Sequence, residues 1–255
     1  MRDKLKDEKH FNRWVDEFHQ SIDRVNNWIS TGKTPVERIN IMKRSMVQSN
    51  INIVLCKYSS NKRINELSKE LIDAIKLTHE SWDGFWLIKT GEPNGSIVLN
   101  QYGLSGYDEM LWMLSLGYLL NIEETEFKKL VEVIDRDGVK DFLFEFIIRA
   151  KLNDRQPIAE ESYQVFFGIP QTYQKLRQAI TETDKTKAEK LVKEFITKDW
   201  YKNHKEAGWY NSHKSKHDTY FGYWSFETAA VVKIMGLDDS SFRDCQYYSK
   251  DLVNF

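Results

Sequence analysis

The chain has 255 residues, of which 41% are hydrophobic and 29% charged, a composition typical of a globular protein with a continuous core. Its formal net charge of −1 excludes a protein that binds nucleic acid through an overall basic surface. Only 12 glycines and 4 prolines interrupt it, which favours helices over a turn-rich β fold.

The N-terminus and the cysteines indicate where the protein works. The opening MRDKLKDEKHF alternates charges and lacks the apolar run of a signal peptide. The longest apolar stretch, residues 110–122, is shorter than the roughly 20 residues that a membrane helix needs. Cys56 and Cys245 are far apart in sequence, and we expect both to be reduced. The chain is therefore predicted to be cytoplasmic, with no membrane partner.

Three helices are predicted in the N-terminal part of the chain. Apolar residues recur at steps of three and four over residues 3–30, and again from Val36 to Tyr58. The sequence Ser59-Ser60-Asn61 is predicted to cap a third helix that runs to Trp82.

Residues 84–104 interrupt this pattern, since they contain glycines, a proline and only a short apolar run, and they predict a loop with a small strand pair. A nearly all-apolar helix, Ser105 to Leu120, follows and must be buried on most sides. Two amphipathic helices, Glu123–Arg136 and Gly138–Leu152, are predicted to flank a tight turn. Further helices are predicted at about 158–167, 170–181, 185–203, 219–236 and 239–246. The predicted fold is all-α, a multi-helix bundle of about ten helices with a short irregular insertion near 84–104.

The most informative stretch is YFGYWSFETAAVVKIMGL, residues 220–237. Its aromatic residues are expected to crowd the start of a helix that Gly236 ends. Near the C-terminus follow Tyr247-Tyr248 and Asp251-Leu252. This closing pattern resembles that of the PoNi-type immunity proteins, two-part bacterial chains that neutralise PoNe-type toxins, which are DNA-degrading effectors.

The resemblance extends over nearly the whole chain. It includes Tyr58-Ser59-Ser60-Asn61, the buried helix Tyr107–Leu120, the step Gly138-Val139-Lys140-Asp141, and Trp200. Two features of the family are absent: the glycine after the Tyr-Ser pair, and the proline of the final Tyr-Tyr-Pro-x-Asp-Leu, which reads YYSKDL here. The residues expected to carry the structural motif are Trp209, Tyr220, Tyr223, Trp224, Phe226, Glu227, Tyr247 and Tyr248.

The resemblance implies an immunity protein with an N-terminal helical part, residues 1–100, and a C-terminal part, residues 101–255, packed as one compact unit. It implies a cognate DNase toxin as partner, inhibition by occlusion of the toxin's active site, no enzymatic activity, no cofactor and no direct binding to nucleic acid. Two alternatives remain open: an α-helical protein-binding scaffold or regulatory module of an unrelated pathway, and an enzyme or nucleic-acid binder.

Candidate chemistry within the chain is sparse. His213 and His217 are four residues apart, as zinc ligands on a helix can be, but their segment is predicted to be a polar loop and no cysteine is near. Glu227 is expected to be buried at a helix start and to need a hydrogen-bonding partner, such as a Tyr, an Arg or a backbone amide. No second acid or base accompanies it in sequence, so no metal and no catalytic residue is predicted.

Acidic residues are concentrated in residues 121–161, which hold eleven acids against seven bases. Charged faces of amphipathic helices are usually only solvated, but an inhibitor of a nuclease gains from presenting carboxylates to a cationic active site. The candidate toxin interface is Glu123, Glu124, Glu126, Glu132, Asp135 and Asp141, whose apolar neighbours are expected to face inward.

Overall fold

The computed structural model describes residues 1–91, 97–157 and 169–255. Within them the chain is mainly α-helical, which confirms the predicted class. It divides into two compact units, each built from segments that are not contiguous in sequence. Unit 1 comprises residues 1–83, 125–133 and 211–223, and unit 2 comprises residues 84–124, 134–210 and 224–255. The predicted division near residue 100 stays a prediction.

Unit 1 is built around three long helices. They are α1 (Glu8–Ser30), α2 (Val36–Ser59) and α3 (Ser68–Ser81), with 3-10 turns at Ile64–Leu67 and Ser212–Lys214. The core of this unit includes Phe11, Val47, Ile53, Leu71 and Ile75, all almost fully buried.

Two predicted helix starts in unit 1 are wrong. Helix α1 begins at Glu8 rather than at residue 3, because the side chain of Asp7 accepts a hydrogen bond from the His10 amide and caps the helix. Ser59 does not cap the third helix, since it is the last residue of α2. Asn61 follows in the left-handed region at φ 68°, so these residues end one helix instead of starting the next.

An ion-pair cluster holds the 211–223 segment on α1. Asp218 accepts hydrogen bonds from Lys6 Nζ and from Arg13 Nη2, both at 2.6 Å, and Trp14 Nε1 donates to its carbonyl oxygen at 2.9 Å. The hydrogen bond from Lys6 is the main reason that the pKa of Asp218 falls to about 2. The segment is thus tied to the helix by both side-chain and backbone groups.

Unit 2 opens with an antiparallel pair of strands, β1 (Leu87–Thr90) and β2 (Ile97–Tyr102), which confirms the strand pair predicted within 84–104. Helix α4 (Leu104–Leu119) follows and is buried along nearly its whole length, as predicted. Gly106 on this helix lies against the ring of Trp86, and a Cβ there would be 2.4 Å from that ring. The close approach therefore requires glycine.

The remaining helices are shorter. They are α5 (Glu124–Arg136), which contributes residues to both units, and α6 (Phe142–Lys151), α7 (Ile169–Thr172), α8 (Gln174–Thr181), α9 (Lys185–Glu194), α10 (Trp200–Asn203) and α11 (Phe226–Met235). A π-helical turn, Phe195–Asp199, joins α9 to α10, so the predicted helix 185–203 is one run with a widened turn. The predicted helix 158–167 lies outside the described residues.

Three predicted boundaries in unit 2 are wrong for local reasons. Helix α6 begins at Phe142 rather than at Gly138, because Asp141 is its N-cap. Helix α11 begins at Phe226 rather than at 219, since the Ser225 amide donates to the Tyr247 carbonyl at 2.8 Å and pairs with the C-terminal segment. Residues 239–246 form turns instead of a helix, starting where the side chain of Asp238 accepts from the Ser240 amide.

Gly236, at φ 60°, ends α11 in the left-handed conformation, as predicted. None of the described helices is both long and apolar enough to cross a membrane.

Candidate functional site

Two carboxylates of the predicted interface lie at the start of α5. Glu123 and Glu124 are exposed, and Glu124 is the first residue of the helix. Their position is favourable for negative charge, because the positive end of the helix dipole is located there. Both belong to unit 2.

Two further carboxylates of α5 belong to unit 1 and have local partners. Glu126 accepts a hydrogen bond from Lys129 Nζ at 2.8 Å, and Glu132 lies 2.8 Å from Nε2 of His79. Glu132 is exposed, whereas Glu126 is half-buried. Their contacts are intramolecular surface pairs, which typically contribute little stability.

Asp135 is exposed but is engaged by an arginine of unit 2. Arg155 Nη1 and Nη2 each donate to a different oxygen of Asp135 at 2.7 Å. The same guanidinium donates to Glu145, at 2.6 Å from Nη2 and 3.1 Å from Nε. These hydrogen bonds raise the pKa of Arg155 above its ordinary value, and those to Asp135 contribute most. Arg155 therefore pairs with both Asp135 and the buried Glu145, and its single positive charge cannot neutralise both carboxylates.

The expectation that Asp141 faces outward is wrong, since this residue is only 5% exposed. Its Oδ1 accepts from the amides of Leu143 and Phe144, as an N-cap does, and from the Tyr107 hydroxyl at 3.0 Å. Its Oδ2 pairs with Arg177. The first amides of α6 have no acceptor within the helix. Asp141 accepts from them as the N-cap, and its carboxylate is therefore buried.

The apolar neighbours of these carboxylates are largely directed inward. Phe127, Leu130, Val131 and Ile134 are buried, whereas Phe142 and Phe146 are half-buried.

The residues of the structural motif divide between the two units. In unit 1, the Tyr220 ring packs against Tyr223 with centroids 4.7 Å apart, and its hydroxyl donates to the buried Asp3.

In unit 2, the motif residues Trp224 and Phe226 are buried. Also in unit 2, Tyr248 is buried and pairs with Ser225, whereas Trp209 and Tyr247 are half-buried. Trp209 stacks on Trp200 with centroids 5.3 Å apart, and Tyr247 packs against the same ring at 5.1 Å.

Glu227 is fully buried, as predicted, and one expected kind of partner, a backbone amide, is supplied by the residue itself, whereas its side-chain partners are a tryptophan and a serine rather than a tyrosine or an arginine. Its Oε1 accepts hydrogen bonds from Trp200 Nε1 and from Ser225 Oγ, both at 2.6 Å. No described residue donates to its Oε2. Burial raises the pKa of Glu227 to about 7, although the Ser225 bond opposes the shift. The side chain therefore fixes the first turn of α11 to α10 within unit 2.

A second buried polar network of unit 2 was not predicted. The Tyr173 hydroxyl donates to Asp108 Oδ1 at 2.7 Å and lies 3.0 Å from His204 Nε2, while His204 Nδ1 donates to the Trp200 carbonyl at 2.6 Å. Burial lowers the pKa of His204, but Asp108, the Trp200 carbonyl and Glu227 together raise it, so the net shift is upward. Next to Asp108 in sequence, burial raises the pKa of Glu109 to about 8.

The chemistry available to this network is limited by its burial. A general acid or base must reach its substrate within hydrogen-bonding distance. Asp108, Tyr173, His204 and Glu227 are all at least nine-tenths buried. Hydrogen bonds join Asp108, Tyr173 and His204, and Trp200 links His204 to Glu227. The arrangement is that of a structural network. The acidic pair Asp108-Glu109 inside an otherwise apolar helix was the available sequence signal for it.

The histidines of the polar loop do not form a metal site in the described part of the chain. Nδ1 of His213 lies 2.9 Å from the Tyr223 hydroxyl, and His217 is exposed. No group of three or more His, Cys, Asp or Glu side chains among the described residues could hold a metal ion.

Comparison with known proteins gives matches for both halves of the chain. The family model described as PoNe immunity protein (PoNi), N-terminal, matches residues 2–132, and the model described as PoNe immunity proteins (PoNi), C-terminal, matches residues 139–252. A solved structure, that of protein PA2201 from Pseudomonas aeruginosa, is similar with a TM-score of 0.67 at 15% sequence identity. The alignment covers 99% of this chain and 89% of that one, and it shows a shared fold. A search of curated proteins finds no significant match.

Proposed function

Because the chain belongs to the PoNe immunity protein family, we propose that it binds a cognate DNA-degrading toxin and inhibits it by covering the active site. The observation that carries the proposal is the pair of family matches, which together extend from residue 2 to residue 252 with a gap of only six residues. Inhibition follows from binding alone and needs no chemistry by the immunity protein. The site of action is the cytoplasm of the protected cell.

The physical basis is charge complementarity. A nuclease must present cationic groups to the phosphates of DNA, and an inhibitor that presents carboxylates is steered toward those groups. The exposed Glu123, Glu124 and Asp135 of unit 2 supply such carboxylates. A stable complex of this kind buries roughly 1,600 Å² in total, so the contacts extend well beyond these residues.

Charge reversal at the start of α5 tests where the toxin docks. We expect a Glu123→Lys/Glu124→Lys variant to reduce the association rate about tenfold at low salt, and much less at high salt, because such charges act mainly on encounter. The toxin for this experiment is a candidate PoNe-type nuclease that co-purifies with the immunity protein. Asp135 is left unchanged, because its replacement would also disturb Arg155.

A Glu37→Lys/Glu206→Lys variant is the matched control. Both residues are exposed, and Glu37, like Glu124, lies in the first turn of its helix. The control changes the net charge equally, so its association rate is expected to stay within about twofold of wild type. Equal losses in the two variants would show that only net charge matters, and would place the docking site elsewhere.

A further inference from the structure

A cleft of about 190 Å³ opens on unit 1 between helices α1, α2 and α3. Polar side chains from all three helices line it: His19, Asp23, Asn26, Asn50, Glu70 and Asp73. Ligand pockets for drug-sized molecules usually enclose about 300–1,000 Å³, so this cleft has room for one side-chain head group rather than for a nucleotide.

Glu70 gives the cleft an unsatisfied acceptor. The residue is only 2% exposed, and its Oε1 lies 2.9 Å from Lys57 Nζ and 3.4 Å from His19 Nε2. No described residue donates to its Oε2, which is buried. A buried carboxylate oxygen without a donor is costly, and most such oxygens in folded proteins have a partner. A donor to this oxygen must therefore come from outside the described residues.

The rest of the lining also favours a ligand rich in donors. Asp23 and Asp73 add two carboxylates, against the single cation Lys69 in the wall. Asn50 donates one Nδ2 hydrogen to the Met46 carbonyl at 2.9 Å, and its carboxamide oxygen adds an acceptor to the lining. Within the described residues the acids are not arranged to hold a metal ion, which leaves an organic cation as the matching ligand.

We propose that this cleft binds one guanidinium group, the head of an arginine side chain presented by the toxin. A guanidinium carries five N–H donors in a plane, and it is weakly hydrated, so it suits a partly buried site with acceptors on several sides. The identity of the partner rests on the proposed function, whereas binding of a guanidinium group does not. The cleft would then be a receptor for a single anchoring residue, of the kind that dominates many interfaces.

A small probe tests the cleft itself. We expect methylguanidinium chloride, titrated into the full chain, to give saturable NMR shifts at amides of the lining residues, with a dissociation constant on the order of millimolar. Methylammonium chloride is expected to bind at least several-fold more weakly, since it offers fewer donors in one plane. Absence of saturable shifts with methylguanidinium would overturn the proposal.

Two variants and one control separate binding from folding. Glu70→Gln and Asp23→Asn/Asp73→Asn are each expected to weaken methylguanidinium binding at least tenfold, while Glu37→Gln, on an exposed surface of unit 1, leaves it unchanged. The double variant keeps Glu70 and its contact with Lys57, so it remains informative if Glu70→Gln fails to fold. Wild-type affinity in the folded double variant would refute the site.

The same cleft variants and control test whether the toxin is the partner that occupies the cleft. The cleft variants are expected to bind the candidate toxin at least tenfold more weakly than wild type does, and Glu37→Gln is expected to bind it within about twofold of wild type. Failure of the wild-type chain to bind that toxin would contradict the proposed function, whatever the probe shows. Tight toxin binding by wild type and by both cleft variants would leave that function standing and would refute the arginine-receptor role.

Discussion

The buried carboxylate of Glu227 predicts a specific pH dependence of stability. Its pKa is raised from an ordinary value of 4.5 to about 7 in the folded protein, chiefly because burial disfavours the charged form. Between these two values the folded state binds more protons than the unfolded state, so the free energy of unfolding falls as the pH rises. This loss is complete once the pH exceeds the folded pKa.

The magnitude follows from the two pKa values. Between pH 5 and pH 8 the titration of Glu227 should lower the free energy of unfolding by about 2–3 kcal/mol, at 1.36 kcal/mol per unit of pKa shift. A Glu227→Gln variant does not titrate at this position. Its amide oxygen can still accept from Trp200 and Ser225, so the hydrogen bonds that Oε1 makes are retained. As the pH rises from 5 to 8, the free energy of unfolding of the variant should therefore increase by about 2–3 kcal/mol relative to that of wild type.

The assay is urea unfolding of both proteins at pH 5 and pH 8. Glu109, whose pKa is also raised, titrates in both proteins and largely cancels in the difference. Glu227 contributes to the raised pKa of His204, so the difference also contains that part of the His204 titration. Glu206→Gln, a replacement of an exposed glutamate, is the control and should show no such change. If the stability difference between wild type and Glu227→Gln is the same at both pH values within about 0.5 kcal/mol, the folded pKa is not raised and the reasoning is refuted.

Three further substitutions test packing and pairing, each read by urea unfolding. Trp224→Ala should cost about 3–5 kcal/mol, because the ring is only 4% exposed, and a loss below about 1 kcal/mol would contradict its place in the core. Arg155→Ala should cost about 3–5 kcal/mol, because it leaves Glu145, 1% exposed, without its counter-charge, and a second Glu145→Gln substitution should recover part of the loss. Gly106→Ala should cost about 1–3 kcal/mol, since the new Cβ would lie 2.4 Å from the Trp86 ring, and wild-type stability would show that the ring can move freely.

Helix positions could be predicted from apolar periodicity, whereas several helix starts could not. The buried helix α4 and the strand pair of the 84–104 insertion follow from composition alone. The starts at Glu8, Phe142 and Phe226 are set by Asp7, by Asp141 and by the pairing of Ser225 with the C-terminal segment. Acidic side chains that cap helices cannot be told from surface acids by charge counting.

The candidate toxin interface also could not be predicted fully, because the sequence does not show which acidic residues are buried. Asp141 is as acidic in sequence as Glu124, yet it is buried against Arg177, an arginine 36 positions away. The cleft of unit 1 gave no sequence signal either, since its lining residues come from three helices separated by long stretches of chain. Long-range pairings of this kind are set by tertiary packing rather than by local pattern.

The most direct test of the account is an inhibition titration with a candidate PoNe-type nuclease that co-purifies with this protein. Cleavage of plasmid DNA is measured while the immunity protein is added at concentrations around that of the toxin. The account predicts a linear loss of nuclease activity that reaches completion near one equivalent, because inhibition by occlusion is stoichiometric. Full nuclease activity in a severalfold excess of folded immunity protein would contradict it.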